Sequence, residues 1–497
     1  MPPLNPLSGV RPAHAIPAPP RTFHVPMEHG FKQVLCRQNT RIKLYIMLAF
    51  PNGCMHYQAM LEQLQPPPAD MPENPLPQLL DEVFFAPLRE VMGNGLKVRS
   101  CKVLKDLPFV ILCVLRVLQS SKSGRDFLQS HGIPSLPGLN LANYFGSLGS
   151  KRRLAIITST NHAMNARLRP GLRAHHDLLA TLPELDGWEV WAGDGHAIAH
   201  ATHATRNTKD AYVPVHAIYK LDLRTGWAGF IDLVSPTAAG VEHEIKTLKR
   251  QDKDQLRCGA PKGKSTLMSY DKAVVDFHFA YNLKQSKSIY QVTGWKDNFA
   301  PLTVMARPID RSNSANALII ADETVYFNNT PGVWRRITAT CPDSDEVYVT
   351  LTNEMTLPPG VLNQVRRLRW NIEKIFNQHE RKLEEAKAWT ANDTGKRIQA
   401  IAICIAHNLL RLFGAKIERE EGIADTKVIH AWHQRLAARA QKAAAAGREL
   451  PLNLYQALYR PTEVSLQFIR WLRSMLLRAT CYREALAQLR PLMLKYL

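Results

Sequence analysis

The sequence predicts an α/β protein whose strand-rich middle lies between helical N- and C-terminal regions. Apolar residues recur with helical spacing from residue 76 to about 167 and again from residue 362 onwards. In the middle, apolar runs are short, rich in β-branched residues and bounded by turn residues, which is typical of strands. The globular composition, 45% hydrophobic and 21% charged, allows 497 residues to bury large cores and excludes wholesale disorder or a disulfide-stapled scaffold.

The predicted organisation has six segments. Residues 1–71 are expected to form a largely disordered or irregular tail, because proline is frequent and few apolar residues recur periodically. The others are a helical region at 72–170, a first core part at 185–296, a β-rich insertion at 297–360, a second core part with a central helix at 361–415, and a helical C-terminal region at 416–497. We expect a basic surface on the first helical region, from Lys151, Arg152, Arg153 and Arg167.

Short strands are predicted throughout the middle of the chain. The apolar run Glu189–Gly195 ends in a turn at Asp194, and Ser265–Tyr270 ends at Asp271. A hairpin is predicted around the turn Leu223–Gly226. The insertion contains five further runs: Leu302–Met305, Ala317–Ile320, Thr324–Phe327, Trp334–Ala339 and Glu346–Leu351.

The charge balance indicates a polyanionic partner. Lys and Arg total 63 against 43 Asp and Glu, a net charge of +20. Such an excess favours nucleic acid first and an anionic membrane second. A basic protein with no such partner remains the alternative, because charge alone does not specify function.

The cysteines and the apolar runs indicate the cellular compartment of the protein. Eight scattered cysteines contain no CxxC pair, which favours a reducing compartment. The proline-rich N-terminus lacks the continuous apolar stretch of a signal peptide. The longest apolar run, Phe109–Leu115, is stopped by Arg116 and is far shorter than the ~20 residues that cross a membrane. We expect a cytosolic protein with no membrane partner.

Three acidic residues are candidates for chemistry. Asp194 and Asp271 each follow an apolar run, and Glu373 lies in a helical segment. Carboxylates at strand ends can hold two Mg²⁺ ions, and a pair of ions about 3.5–4 Å apart supports phosphoryl transfer. On spacing alone an Asp at a strand end is more often a turn former than a metal ligand.

The segment around Glu373 is more specific. Arg366, Arg369, Trp370 and Glu373 recur at i, i+3, i+4 and i+7, so they share one helical face. An arginine beside a metal-binding glutamate could hold a phosphate next to the metal. The alternative is a solvated face on which Glu373 simply pairs with Arg369.

These segments resemble DDE transposases of cut-and-paste bacterial insertion sequences. Arg369–Phe376 resembles the RWxIExxF signature of that family, Tyr270–Phe277 its second-aspartate segment and Ala192–Gly195 its first. Lys296–Asn298 resembles the polar stretch after the second aspartate. The order Asp, Asp, β-rich insertion, Glu also matches, and the resemblance covers about 185 to 415.

The resemblance implies an RNase H-like core interrupted by the β-rich insertion and flanked by the helical N- and C-terminal regions. It implies Asp194, Asp271 and Glu373 as catalytic and metal-binding residues, with two Mg²⁺ ions for which Mn²⁺ can substitute. It implies transposon terminal inverted repeats and target DNA as partners, and a homodimer on DNA in the bacterial cytoplasm at the nucleoid.

The sequence departs from the family signature at two positions. The signature places a tyrosine where Arg366 stands and a lysine where Glu380 stands. Arg381 and Lys382 are the nearest basic residues that could take the lysine's place. We therefore expect DNA contacts from Arg366, Arg369, Trp370, Arg381 and Lys382.

Three further features have open alternatives. Trp334 could stack on a flipped base or pack in a core, and packing is favoured. His196, His200 and His203 could bind zinc, but a loop or hairpin is favoured. A last helix at Glu463–Leu497 could serve core packing, dimerisation or DNA contact.

The sequence therefore predicts a transposase that cleaves DNA at transposon ends and transfers the strand into target DNA. The helical region at 72–170 is expected to be its DNA-binding region, which recognises the transposon end. A non-catalytic DNA-binding protein derived from a transposase is one alternative. An RNase H-like nuclease without strand transfer is the other.

Overall fold

A computed structural model describes most of the chain. It covers residues 86–93, 104–119, 123–129, 140–201, 214–237, 240–341, 344, 346–383, 385–460, 462–478 and 482–494. The predicted tail at 1–71 lies outside these ranges, as does the start of the predicted helical region at 72–170.

Within the described ranges, five α-helices precede the sheet. They are α1 (Ala86–Gly93), α2 (Asp106–Leu118), α3 (Gly124–Phe127), α4 (Leu141–Leu148) and α5 (Lys151–His175). Three of them begin after residues that cap helices well: Ser123, Asn140 and Ser150 each accept a hydrogen bond from the backbone N–H three residues later.

The predicted basic surface needs correction. Arg152 and Arg153 both pair with Asp106 of α2, and Arg153 is buried. These ion pairs fasten α5 to α2, because a buried carboxylate needs charged partners. Lys151 and Arg167 are the members of the predicted set that are exposed.

One nine-stranded mixed sheet forms the centre and confirms the α/β class. Its strands are β1 (Trp188–Ile198), β2 (Val215–Asp222), β3 (Ala228–Leu233), β6 (Ser265–Tyr270), β7 (Ile289–Gly294), β8 (Pro301–Ala306), β9 (Ile319–Phe327), β10 (Trp334–Thr340) and β11 (Val347–Thr352). The order across the sheet is β3-β2-β1-β6-β7-β11-β10-β9-β8. The pairs β1–β6 and β6–β7 are parallel, and every other pair is antiparallel. A separate short ladder joins β4 (Pro236–Thr237) to β5 (Gly240–Val241).

The strands of the predicted insertion belong to this same sheet. β11 pairs with β7, so β8 to β11 extend the sheet beyond the strands of the first core part. Two runs predicted as separate strands, Ala317–Ile320 and Thr324–Phe327, contribute to the single strand β9. The residues between them also pair with β10, since Asp322 lies opposite Ile337 and Glu323 opposite Arg336.

Helices between and after the strands complete the fold. They are α6 (Glu244–Lys249), α7 (Lys253–Leu256), α8 (Phe277–Lys287), α9 (Pro359–Leu368), α10 (Trp370–Lys382), α11 (Asp393–Glu421), α12 (Thr426–Ala445), α13 (Leu452–Tyr459), α14 (Leu466–Arg478) and α15 (Tyr482–Leu494). The stretch predicted as one last helix contains α14 and α15, which pack against each other.

The main core joins the sheet to α9, α10 and α11. Leu267 and Val292 of the parallel strands pack in one cluster with Val365, Ile372 and Cys404. α11 also contacts α2, α5 and β3. Among the described residues, α11 alone is long and apolar enough to cross a membrane by length and composition, and 78% of its most apolar window is buried inside the protein.

Candidate active site

Two parallel strands bring the two predicted aspartates together. Gly193 of β1 lies opposite Tyr270 of β6, and Asp194 and Asp271 each follow by one residue. Asp271 stands just after β6, as predicted. Asp194 does not end its strand: β1 continues to Ile198, because this half of the strand pairs with β2. Asp194 therefore lies within a strand, with strand residues before and after it in the sequence.

The glycines that flank Asp194 are required by close neighbours. A Cβ atom at Gly193 would overlap the ring of Tyr270, and one at Gly195 would overlap the carboxylate of Glu244. Neither position has room for a larger residue unless its neighbour moves. The Gly-Asp-Gly sequence thus reflects crowding around Asp194.

Glu373 reaches the aspartates from the helix that packs on β1. α10 contacts β1, and its buried residues Ile372, Ile375 and Phe376 belong to the main core. Glu373 lies in the first turn of α10 and is only partly exposed. The structure therefore brings all three predicted carboxylates together beside the carboxyl end of β6.

Arg369 lies between the three carboxylates, at the junction of α9 and α10. Its guanidinium donates to Asp194 and lies 3.0 Å from Glu373 and 3.8 Å from Asp271. The i,i+4 pair with Glu373 that the sequence left as the alternative is thus present. It is one contact of a guanidinium that is shared by three acidic groups.

The pKa of Asp194 is raised in this site. Burial raises the pKa of Asp194 to about 6, and the charges of Glu373 and Asp271 add to this rise. Arg369 and the backbone N–H of Gly195 oppose it. The ionised form of Asp194 is therefore costly in this site until a cation compensates it.

Glu244 is a further acidic residue near the site, which sequence reasoning missed. It is the first residue of the short helix α6 and packs against Gly195. Burial raises its pKa to about 7, with further contributions from Asp194 and Asp271. No pattern around Glu244 marks it, because its proximity to Asp194 arises only when β1 and α6 pack together.

Arg366 is a second arginine close to the site. Its guanidinium lies near Gly294 and 5.7 Å from the ring centre of Tyr348. Burial and the charge of Arg369 lower its pKa, while the Tyr348 and Asp271 interactions oppose that change. Arg366 thus stands beside the carboxylates, at the position where the resembled family has a tyrosine.

The two tryptophans among the predicted DNA contacts differ in exposure. Trp370, next to Arg369, is 57% exposed. Trp334 is 1% exposed and packs with Phe277 and Val325 in a small core cluster. An enclosed ring offers no face to a base, so of the two roles considered for Trp334 the structure excludes base stacking and has the packing that the sequence favoured.

The two basic residues after Glu380 also differ. Arg381 is exposed. The ammonium of Lys382 donates to Glu463 at 3.1 Å and to the backbone oxygen of Val464 at 3.0 Å. Lys382 thus joins α10 to the C-terminal region, and a role for it in DNA contact would require these bonds to open.

The histidines considered for zinc are not gathered into a site. His196 lies in β1 with its ring stacked on Phe376, centres 4.6 Å apart. His203 lies outside the described residues. Within the parts of the chain that the structure covers, no three His, Cys, Asp or Glu side chains already stand together as a metal site.

The three carboxylates nevertheless suit a hard cation in charge and chemistry. They surround one cationic group, the Arg369 guanidinium, and offer only oxygen donors. A divalent ion would have to replace that guanidinium, since Arg369 holds the space between them. The residues therefore fit a divalent cation once Arg369 moves.

Comparison with known proteins gives one match. A stretch of 155 residues, 30% of the chain, is 27% identical to "Putative transposase y4zB" of Sinorhizobium fredii. The match covers 43% of that protein, so the chain spans less than half of its length. No family model matches the chain. The similarity supports a transposase-like relationship.

Proposed function

We propose that this protein is a DDE transposase, which cleaves DNA at transposon ends and transfers the freed strand into target DNA. The observation that carries the proposal is the convergence of Asp194, Asp271 and Glu373 around Arg369. The similarity to a protein named as a transposase supports the same class.

The sheet supports an RNase H-like core. Three antiparallel strands, β1 to β3, are followed by two strands parallel to β1, in the order β3-β2-β1-β6-β7. Asp194 and Asp271 come from the adjacent strands β1 and β6, and Glu373 comes from a later helix. This is the arrangement that the resemblance implies.

Asp194, Asp271 and Glu373 would hold the divalent metal, Mg²⁺ or Mn²⁺. When bound, such ions supply activation of the attacking oxygen and stabilisation of the leaving oxygen. Water is the nucleophile for cleavage, and the freed 3′-hydroxyl is the nucleophile for strand transfer. Neither step needs a covalent bond between protein and DNA.

Arg369 has two partners in this proposal. It neutralises Asp194 and Glu373 through its ion pairs with both. With metal in place its guanidinium is released and can bind a DNA phosphate beside the reacting group. Arg366 and the exposed Arg381 offer further charge to the backbone, and exposed Trp370 offers a face to a base.

The test is a cleavage and joining assay on DNA that carries the inverted repeats flanking the reading frame. We expect Mg²⁺-dependent nicking at the repeat ends and joined products from wild type. Glu373→Ala should lose both and keep its affinity for the DNA. A matched control is Asp393→Ala, which removes an exposed carboxylate paired with Lys396 at 2.9 Å.

The outcomes separate the alternatives. Nicking that depends on Glu373 but yields no joined product would identify a nuclease. Specific binding with no cleavage by wild type would identify a non-catalytic DNA-binding protein. Full cleavage by Glu373→Ala would refute the assignment of the triad.

A further inference from the structure

One edge of the nine-stranded sheet, formed by β8, is apolar and exposed. β8 is the last strand in the sheet order, so β9 pairs with one side of it and no described strand lies on the other. Every residue from Leu302 to Ala306 is exposed, and Leu302 is 68% exposed. Of the nine large hydrophobic residues exposed in the described ranges, six lie on β8, β9 and β11: Leu302, Val304, Met305, Ile320, Tyr326 and Val347.

The backbone of β8 also directs hydrogen-bonding groups away from the sheet. Arg307, just after the strand, donates its N–H to the oxygen of Asp322 at 2.8 Å. In a strand the N–H and C=O groups of residues two apart point the same way. Met305 therefore faces β9, whereas Val304 and Ala306 face outwards, where the described part of the chain gives them no partner.

The opposite edge of the sheet is occupied by a side chain. On β3, the N–H and C=O of Ala228 both bond to the amide of Asn408 in α11, at 2.8 and 2.9 Å. Proteins commonly protect an edge strand with a covering helix or with lysine, because an open edge can pair with another chain. β8 contains no charged residue. The two edges of this sheet thus differ, and the β8 edge is suited to pairing.

We propose that β8 pairs with β8 of a second copy of this chain, so that two sheets join into one. The pairing is antiparallel about a two-fold axis at Val304. The N–H of Val304 in each copy then donates to the C=O of the same residue in the other. Leu302 lies opposite Ala306, and Pro301, which has no N–H, stays at the limit of the paired segment. The proposal goes beyond the catalytic function and depends on neither metal nor DNA.

Charge favours a second copy over DNA or an acidic protein at this edge. The chain has a net charge of +20, yet β8 carries none of it. An uncharged strand offers no attraction to a polyanion. Two copies of β8, by contrast, meet without placing like charges opposite each other. The charge on the rest of each copy opposes association, so the dimer should be tighter when salt screens that repulsion.

The test measures the mass of the full chain by sedimentation equilibrium, after nuclease treatment and without added DNA. We expect monomers in equilibrium with dimers, and no larger species, because pairing uses the open edge of each copy. Raising NaCl from about 0.1 to about 0.5 M should tighten the dimer several-fold. Association bridged by residual DNA would instead weaken, since salt releases proteins from phosphates.

Two variants change the edge itself. Leu302→Lys places a charge in the interface and should weaken the dimer at least about tenfold. Val304→Pro removes an N–H that β9 does not use, so it should weaken the dimer similarly and keep the fold. Leu452→Lys is the matched control, because Leu452 is 52% exposed on α13, away from β8. It should stay within about twofold of wild type. Circular dichroism of each variant checks the fold.

A cysteine variant tests the register. Val304→Cys should form a disulfide between two copies on mild oxidation, because directly opposed residues of this kind have Cα atoms about 5.5 Å apart, within disulfide range. Ala306→Cys is the control. Its counterpart in the other copy would lie four residues along the strand, about 13 Å away, so it should not cross-link.

The contrary outcomes are distinct. Wild type that stays monomeric at about 100 µM would overturn the proposal, including the case in which another segment of the same chain covers the edge. A dimer that Leu302→Lys and Val304→Pro leave unchanged would place the interface elsewhere and overturn it as well. Cross-linking through Ala306→Cys but not Val304→Cys would contradict the register. A β8 dimer in a protein that never cleaves DNA would support this inference and leave only the transposase function refuted.

Discussion

Arg369 lies 3.0 Å from Glu373, one helical turn away, and the same guanidinium binds Asp194 on β1. An ordinary surface pair one turn apart contributes only a few tenths of a kcal/mol and has no third partner. Here the arginine links the helix that carries Glu373 to the strand that carries Asp194. It therefore joins the two elements that carry these carboxylates.

The first prediction concerns competition between Arg369 and metal. Arg369→Gln should bind Mn²⁺ about tenfold more tightly than wild type, because the ion no longer displaces hydrogen bonds to a charged group worth about 1.5–3 kcal/mol. Cleavage should nevertheless fall, since the phosphate contact is lost. Mn²⁺ titration and the cleavage assay measure the two effects.

Arg367→Gln is the control for this experiment. Arg367 donates to the hydroxyl of Tyr455 at 2.5 Å and contacts none of the three carboxylates. It should leave Mn²⁺ affinity unchanged. Weaker Mn²⁺ binding by Arg369→Gln would show that Arg369 supports the metal rather than competing with it.

The second prediction concerns the crowding around Asp194. Gly193→Ala should lower the free energy of unfolding by about 1–3 kcal/mol, because the new Cβ forces the Tyr270 ring out of place. Gly171→Ala, in α5 with no atom within 4 Å of the new Cβ, should be neutral or stabilising. Chemical denaturation measures both. Equal stability of the two variants would contradict the close approach of Tyr270.

The third prediction separates two tryptophans by exposure. Trp334→Ala should lose about 3–5 kcal/mol of stability, because it empties a buried site. Trp370→Ala should change stability by less than about 0.5 kcal/mol. It should instead weaken DNA binding by about 1–3 kcal/mol, the value of a stacked base. Unchanged DNA affinity of Trp370→Ala would remove this residue from the DNA contacts.

The fourth prediction rests on a buried acid beneath the site. Glu385 accepts a hydrogen bond from the Tyr219 hydroxyl, and its other oxygen lies 3.2 Å from Nδ1 of His379. Burial raises the pKa of Glu385 to about 7. Burial lowers the pKa of His379 to about 3. The folded protein thus keeps the carboxyl protonated at pH values where the unfolded chain releases the proton.

The sign of the pH effect follows. Between about pH 4.5 and 7 the folded state binds more protons at Glu385, so this residue makes stability fall as pH rises. His379 acts in the opposite direction, since its folded pKa is lowered. Glu385→Gln removes only the first effect. Its stability relative to wild type should rise across this window by on the order of 3 kcal/mol. Parallel stability curves for the two proteins would contradict the raised pKa.

The sequence predicted local secondary structure better than the pairing and packing of the helices and strands. The hairpin turn was predicted from Leu223–Gly226, and Asp222 does accept hydrogen bonds from Arg224 and Thr225 there. The end of Asp194's strand was misplaced, because the residues after Asp194 remain extended through their pairing with β2, which their own apolar pattern does not reveal. Pairing with another strand decides such boundaries.

The candidate site shows the same limit. Asp194, Asp271 and Glu373 could be predicted because short motifs surround each of them. Glu244 could not, since its closeness to Asp194 depends on the return of the chain through α6. The sequence favoured burial of Trp334, but the contact with Phe277 that buries it is visible only in the structure.

The most direct test replaces a proposed metal ligand by one with a different metal preference. Asp194→Cys should fail to cleave repeat-end DNA in Mg²⁺, because thiolate is a poor ligand for that hard ion. It should regain cleavage in Mn²⁺, while Asp194→Ala stays inactive in both metals. Recovery in Mn²⁺ would establish Asp194 as a metal ligand of the reaction. Cleavage by Asp194→Cys in Mg²⁺ at the wild-type rate would contradict the metal-dependent triad.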